Sequence, residues 1–489
     1  MRARPLSTAA VVGSGPNGLV AAIRLARAGV RVRVFEAAST PGGGARTEEV
    51  TLPGFRSDIC SAIHPTGVIS PALLDLDLAG HGVRWVWSPV ELAHPFDDGS
   101  AAVLLRSVED TARTMGVDRG AWIDLFRPFL DDPLALFDDL LRPIRLPRRP
   151  GLMARFGLIG LQSAERLTAT RFRDPKTRAI FAGCAAHSVV PLDLTATASF
   201  GMVLALSAHV AGWPCAERGS AALTEAFVSI LQELGGTVET GLRIDSAREL
   251  DDDAVLFDLT PRQVDRIAAD ALPARYRRRL QRFRYAPGVC KIDWALDGPV
   301  PWKTEACRQA MTVHLGGTFE EIAHAEREVW EGRHAERPFV LFAQQSLFDR
   351  SRAPEGRQTG WAYCHVPHGS ERDMTAEVEG QIERFAPGFR ERILARRVMT
   401  ARDLEEHNPN MIGGDIGGGA NDVRQFLTRP FPRWNPYATP DPRLYLCSSS
   451  TPPGGGVHGM CGLGAAETAL ARSRGDVASL LFIDRALRA

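Results

Sequence analysis

The residues whose types and spacing could do chemistry sit near the two ends of the chain. Near the start, apolar residues 9–12 run into Gly13-Ser14-Gly15-Pro16-Asn17-Gly18, a G-x-G-x-x-G pattern. Helical periodicity follows it (Leu19, Ile23, Ala26) as far as Gly29, and residues 30–35 then alternate Arg31 and Arg33 with Val32 and Val34 and end at Glu36. Strand, glycine turn, helix, strand and acid is the order a dinucleotide site needs. Gly13 permits a tight turn, Gly15 lets backbone approach a pyrophosphate, and Gly18 lets the helix pack closely on the strand. With Pro16 and Asn17 they would open a helix whose free N–H groups and partial positive charge face phosphate. Glu36, followed by Ala37, is expected to accept hydrogen bonds from ribose hydroxyls. A carboxylate there repels a 2′-phosphate, which leaves FAD or NAD and disfavours NADP.

Two further glycine clusters belong with this fingerprint. In Pro41-Gly42-Gly43-Gly44-Ala45-Arg46, consecutive glycines let backbone pass close to a flat ligand or phosphate, and Arg46 could pair with that phosphate. Near the end, a buried strand over 444–447 enters a polar turn and then Gly454-Gly455-Gly456-Val457-His458-Gly459-Met460, with an alanine-rich helix after it. A glycine turn feeding a helix N-terminus is an anion site. In a flavoprotein it suits the edge of the isoalloxazine that gains negative charge on reduction.

These segments need a frame of some size. At 489 residues the chain suits two interleaved or consecutive domains. Dinucleotide-fold material is expected in 1–84, 215–275 (helix near 221–234, extended 237–244, strand 254–259) and 436–489. A substrate or cap domain is expected in 85–214, where Trp122, Phe126, Phe129 and Leu130 show helical spacing, and in 276–435, which mixes strands such as 338–344 with helices such as 377–385. The fold class is therefore α/β, with a Rossmann-like FAD-binding domain interrupted by a mixed α+β substrate/cap domain.

Composition narrows the partners. Apolar residues make up 44%, charged residues 24%, and the formal net charge is zero, so no field attracts a polyanion and nucleic acid is not an expected partner. The eight cysteines (Cys60, Cys184, Cys215, Cys290, Cys307, Cys364, Cys447, Cys461) show neither C-x-x-C spacing nor a zinc pattern with histidine. Reduced, buried thiols and no metal are expected, and a cytoplasmic location. No signal peptide is read at the start. Residues 196–213 are uncharged but carry enough polar groups to read as a buried helix and not a membrane span. The basic and apolar segment 141–155 reads as a solvated loop and helix end, with a peripheral membrane contact as the alternative.

The pair GSGPNG…E…PGGGART and LYLCSSSTPPGGGVHGMCG resembles the phytoene desaturase-related flavoproteins of the flavin amine oxidase and carotenoid desaturase superfamily. Within it the chain is similar to the pyridine nucleotide-disulfide oxidoreductase domain-containing proteins. The resemblance extends over nearly the whole chain, including GVCKIDWALDGPVPW and NPNMIGGDIGGGANDVRQFLTRP. It implies FAD contacts at Gly13, Gly15, Gly18, Glu36, Gly43 and Arg46, adenine against the Ile244 backbone, and residues 456–460 beside the flavin ring. A disulfide chemistry is not implied, since no C-x-x-C exists.

The resemblance also implies a dehydrogenase or desaturase that moves hydride from an apolar organic substrate to flavin N5. Electrons would then pass to a diffusible acceptor such as oxygen or a quinone. His458 and His64 are the ionisable side chains expected near the flavin, either as a base or orienting group or as structural histidines satisfying backbone. Asp415 reads as a loop cap. A flavin-dependent isomerase or saturase without net oxidation, or a flavin-binding protein without turnover, are the alternative functions.

Overall fold

The computed structural model describes residues 6–475 of the chain; the outermost parts of the expected N- and C-terminal segments (1–5 and 476–489) lie outside the described residues. The chain begins with β1 (Thr8–Val12), α1 (Pro16–Ala26) and β2 (Arg31–Phe35). Strands β3 (Val90–Pro95), β4 (Ala101–Leu104), β5 (Thr237–Glu239), β6 (Ala254–Phe257), β7 (Gly288–Leu296), β8 (Ala310–Leu315), β9 (Val340–Ala343), β10 (Gln358–Val366), β11 (Ile393–Met399) and β12 (Leu444–Leu446) follow. The helices that matter below are α2 (Pro150–Gly160), α3 (Pro175–Ala186), α4 (Thr197–Val210), α5 (Ala221–Glu233), α6 (Ala274–Gln281) and α7 (Met460–Ser473).

One sheet runs β12-β6-β1-β2-β5 with every pair parallel. Its central strands are buried on both faces, which is why residues 9–12 and 254–257 read as unbroken apolar runs. Helices α1 and α7 pack together on this sheet, with no side chain at Gly462 to keep it off the Asn17 carbonyl. The sheet draws strands from all three expected dinucleotide segments. Helix α6 crosses the expected boundary at 275 and packs through Tyr276 and Leu280 beneath the same sheet.

The second sheet runs β11-β7-β10-β9-β8-β3-β4 and is antiparallel except between β8 and β3. Its register aligns Asp293, Trp361, Ala343 and Thr312 in one cross-strand row and Lys291, Tyr363, Leu341 and His314 in the next. The opposite face carries Ile292, Trp294, Phe342 and Val313, which pack with Val378 and Ile382 in a separate core. Where the chain leaves and rejoins the first domain, Trp85–Val86 pairs antiparallel with Cys215–Ala216, closing the first insertion at its neck. Helix α3 of that insertion packs on the row-bearing face, with Gly183 against His314, and α4 packs on α3 and α2. No helix among the described residues is long and apolar enough to cross a membrane.

Candidate functional site

The first sheet presents its C-terminal strand ends to a cavity of about 880 Å³, the position at which open parallel sheets bind ligands. Gly13, Gly15, Pro16 and Asn17 line it, with Glu36, Ala37, Gly43, Gly44, Arg46 and Ile244. Gly18 does not line it. A Cβ at Gly18 would run into the Gly13 carbonyl, so this glycine serves the close packing of helix on strand. Gly13 has φ +98°, the left-handed region that favours glycine. Glu36 is held firmly: Oε2 accepts from Ser14 N (3.0 Å) and Ser14 Oγ (2.6 Å), and Oε1 accepts from Ala38 N (2.9 Å). Arg46 Nη2 donates to the Thr40 carbonyl (2.8 Å) and lies 3.5 Å from Glu36 Oε1, while its Nε is buried without a partner.

The C-terminal module meets the same cavity from the other side through Pro452, Pro453, Gly455, Gly456, Val457 and His458. Gly459 and Met460 do not reach it, contrary to the expected flavin contact. Gly459 (φ +68°) is the N-cap of α7, and a Cβ there would meet Val20 at 2.6 Å, so the chain has already turned towards α1. The loop carrying Asp415 closes over Gly455, and Asp415 caps it by accepting from Gly417 N (2.8 Å), Gly418 N (3.1 Å) and Ala286 N (2.9 Å).

Both expected histidines line the cavity, His458 bonded to backbone and His64 to the Ser220 hydroxyl. His458 Nδ1 accepts from Met460 N at 3.1 Å, which leaves the proton on Nε2 and makes the ring an organiser of its own turn. Ser220 Oγ donates to the Ser61 carbonyl (2.5 Å) and so accepts from His64 Nε2 (3.0 Å), leaving His64 Nδ1 as a bare acceptor with no partner. Burial lowers both to about 4, with the Gly455 and Gly454 carbonyls opposing it at His458 and Asp58 opposing it at His64. Both are neutral near pH 7, and of the two His64 Nδ1 has the free lone pair a base requires.

Polar groups at the cavity that were not anticipated from sequence include Asp258 and His187. Asp258 ends β6 against the N-terminus of α1, and its Oδ2 accepts from Gly18 N at 3.0 Å. Burial raises its pKa to about 7; the Gly18 N–H opposes this and the nearby Glu36 adds to it. The signal was present as an acid interrupting an apolar run at a strand's C-terminal end. His187, after α3, lines the cavity at its second-sheet wall. Beneath that wall Lys291 is paired with Asp293, and the ammonium lies 5.8 Å from the Trp361 ring centre. Trp361 Nε1 donates to the Asp58 carbonyl (2.8 Å), and Asp58 pairs with Arg352 (3.0 Å). This buried network ties the second sheet to the segment following Arg46. Apolar side chains dominate the wall towards the insertion helices: Met153 and Phe156 from α2, Phe200, Val203 and Leu204 from α4, and Trp213.

Comparison with known proteins agrees with this construction. Residues 11–76 match the NAD(P)-binding Rossmann-like domain. The chain is 26% identical to the mouse pyridine nucleotide-disulfide oxidoreductase domain-containing protein 2, covering 95% of this chain and 94% of that protein. It is 23% identical to the lycopene-forming phytoene desaturase of Pseudescherichia vulneris, covering 94% and 98%. An oxidoreductase from Methanosarcina mazei has the same fold, with a TM-score of 0.63 at 16% identity over 93% of this chain and 98% of its own. The fold and the relatives are those of an oxidoreductase with a Rossmann-like dinucleotide-binding domain. Its homologues include the pyridine nucleotide-disulfide oxidoreductase domain-containing proteins and the phytoene desaturases.

Proposed function

We propose that the protein is a dehydrogenase or desaturase that binds FAD along Gly13–Asn17, Glu36 and Arg46 and oxidises an apolar organic molecule held between α2, α4 and the second sheet. The observation that carries this reading is the continuity of the cavity. One space runs from the glycine turn of the dinucleotide fold to a wall of Phe156, Phe200, Leu204 and Trp213.

The residues present fit a dinucleotide. Arg46 Nε and Asn17 Oδ1 are buried polar atoms without partners beside the glycine turn, where phosphate and ribose would satisfy them. Gly15 and Gly43 press together so closely that a Cβ on Gly43 would lie 3.1 Å from Gly15 Cα, leaving a path only for bare backbone. Bound there, the flavin supplies the two-electron acceptor for hydride. The chain's own contribution is to hold the substrate against it, exclude water with aromatic walls, and offer His64 Nδ1 as the acceptor for a proton released as a double bond forms.

The substrate side opens beside Ile144 and Leu161, which line the cavity while being 77% and 52% exposed. An apolar rim of this kind suits delivery of a water-insoluble molecule, whether from a carrier or from a membrane surface touched peripherally. Several arginines of this segment are matched by acids: Arg145 by Asp138 (2.7 Å) and Asp139 (3.0 Å), and Arg149 by Asp132 (2.6 Å). Apolar contact, more than charge, would therefore carry such an encounter. Electrons leave to oxygen, a quinone or another diffusible acceptor.

The test is spectroscopic. Purified protein should be yellow and release FAD on denaturation, and an apolar substrate should bleach it anaerobically without added reductant. A colourless protein that cannot be reconstituted overturns the proposal. Turnover only after pre-reduction, with no net electron consumption, would replace it with an isomerase or a saturase.

A further inference from the structure

The largely apolar cavity carries a polar station that the proposed chemistry does not use. It is built on the face of β8 that holds Thr312 and His314, two residues apart and therefore on the same side of the sheet. His314 is fully buried. Its Nε2 lies 3.3 Å from His187 Nε2, while its Nδ1 has no partner and is pressed on Gly183 of α3, where an added Cβ would come within 2.6 Å. His187 lines the cavity, with Trp213 packed against both histidines at centroid distances of 6.2 and 5.9 Å.

Hydrogen-bond accounting assigns the protons. Burial holds both imidazoles neutral near pH 7, His187 at about 3 and His314 well below the usual value, so each ring carries one N–H. A proton on His314 Nδ1 would be a buried donor facing a glycine Cα with nothing to accept it, the costliest arrangement for a polar hydrogen. His314 therefore carries its proton on Nε2 and donates to His187 Nε2. His187 is then protonated on Nδ1, and this N–H has no hydrogen-bond partner among the described residues. Thr312 Oγ1, at the same wall, is likewise buried without a partner. Thr312 Oγ1, buried, and His187 Nδ1, at the cavity surface, thus lack protein partners in a wall of Leu341, Trp361 and Trp213.

We infer that this station recognises a single oxygen on the substrate, a carbonyl or hydroxyl, accepted against His187 Nδ1–H and Thr312 Oγ1. The substrate class is then an oxygenated apolar molecule and not a pure hydrocarbon. The oxygen fixes how far the molecule enters and so which carbon reaches the redox centre. His187 is a specificity-determining residue, and His314 a positioning residue that sets its tautomer. The inference rests on reading the apolar cavity as the substrate site, but not on which redox reaction follows.

The test compares 2-nonanone with 1-nonene, chains of equal length with and without the oxygen, by calorimetric titration of the purified protein as isolated. Transfer from water alone favours the alkene, so a ketone preference isolates the polar station. Wild type should bind the ketone about tenfold more tightly than the alkene, the effect of one or two satisfied buried hydrogen bonds. The preference should vanish in His187→Phe, shrink in Thr312→Val, and be partly kept in His187→Gln, which retains a donor. Equal affinities in wild type, an unchanged preference in both His187→Phe and Thr312→Val, or binding of neither probe would overturn the inference. A colourless protein that still prefers the ketone would sink the flavin reading while supporting this one.

Discussion

Asp258 Oδ2 accepts a hydrogen bond from the Gly18 N–H at 3.0 Å, so a carboxylate closes the N-terminus of α1 at the very turn where a pyrophosphate would lie. A helix N-terminus favours an anion, yet full burial works the other way and holds this acid half-protonated near pH 7. The sign of its pH effect follows. The folded state binds a proton that the unfolded chain releases near pH 3.8, so stability from this group is present at low pH and is lost as pH rises from about 4 through about 7. Urea unfolding of wild type and Asp258→Asn across this range should show the wild type losing a few kcal/mol relative to the variant. FAD affinity should fall over the same range in wild type and stay flat in Asp258→Asn, because an ionised Asp258 repels phosphate. Parallel pH profiles for the two proteins would show that Asp258 does not titrate there.

The same pair of elements explains why Gly15 tolerates no side chain. Its φ of −65° is open to any residue, so the obstacle is space: an added Cβ would sit 2.5 Å from Asp258 Oδ2. Gly15→Ala should destabilise by about 1–3 kcal/mol through overpacking, and Gly15→Val should do worse and block dinucleotide binding. Asp258→Ala should recover part of the loss in a double-mutant cycle read by thermal unfolding. Strictly additive effects would place the strain elsewhere.

Glu36→Ala should weaken FAD retention by about 1–3 kcal/mol through lost charge-assisted hydrogen bonds to ribose. The structure adds a second consequence, since Glu36 also satisfies Ser14 N, Ser14 Oγ and Ala38 N. The flavin-free variant should therefore also unfold at lower temperature. Equilibrium dialysis with FAD and calorimetry of the apoprotein separate the two. Unchanged values in both would make this acid incidental.

His64 gives the opposite pH signature from Asp258. Its folded pKa is depressed to about 4, so its contribution is intact above the unfolded value of 6.5 and is lost as pH falls from there towards 4. His64→Gln, which can still hydrogen-bond Ser220, should lose less stability than wild type between pH 6.5 and 4. Loss of bleaching by substrate in this variant with FAD still bound would mark His64 as the proton acceptor; normal bleaching would assign it a structural role.

The remaining glycine cluster, Gly413 to Gly419, folds over Gly455 as a capped loop and opens no helix at a strand end. No nicotinamide site of the usual kind is expected from it. Anaerobic stopped-flow mixing with NADH or NADPH should leave the flavin oxidised on the timescale of turnover. Rapid, saturable bleaching at micromolar concentration would make the protein a reductase.

The dinucleotide end of this molecule was legible in the sequence because its constraints are local. A tight turn at Gly13, a close helix at Gly18 and an acid closing β2 are each written within a stretch of 24 residues, Gly13 to Glu36. The interruption of the fold was legible as well, since parallel strands bury both faces and leave unbroken apolar runs at 254–257 and 444–446. The fates of Gly459 and Met460 were not. Whether a turn residue faces ligand or the neighbouring helix depends on how α7 docks against α1, a contact between segments more than 400 residues apart. The same holds for Asp258, whose raised pKa comes from burial against Gly15 and Gly18, and for His187, whose free N–H is assigned only by His314 arriving on a distant strand. Sequence spacing specified the groups that act through backbone geometry. The groups that act through burial and through partners distant in the chain acquired their character only when the two sheets and the insertion helices closed around one cavity, because desolvation and hydrogen-bond satisfaction are properties of the packed interior and not of the chain.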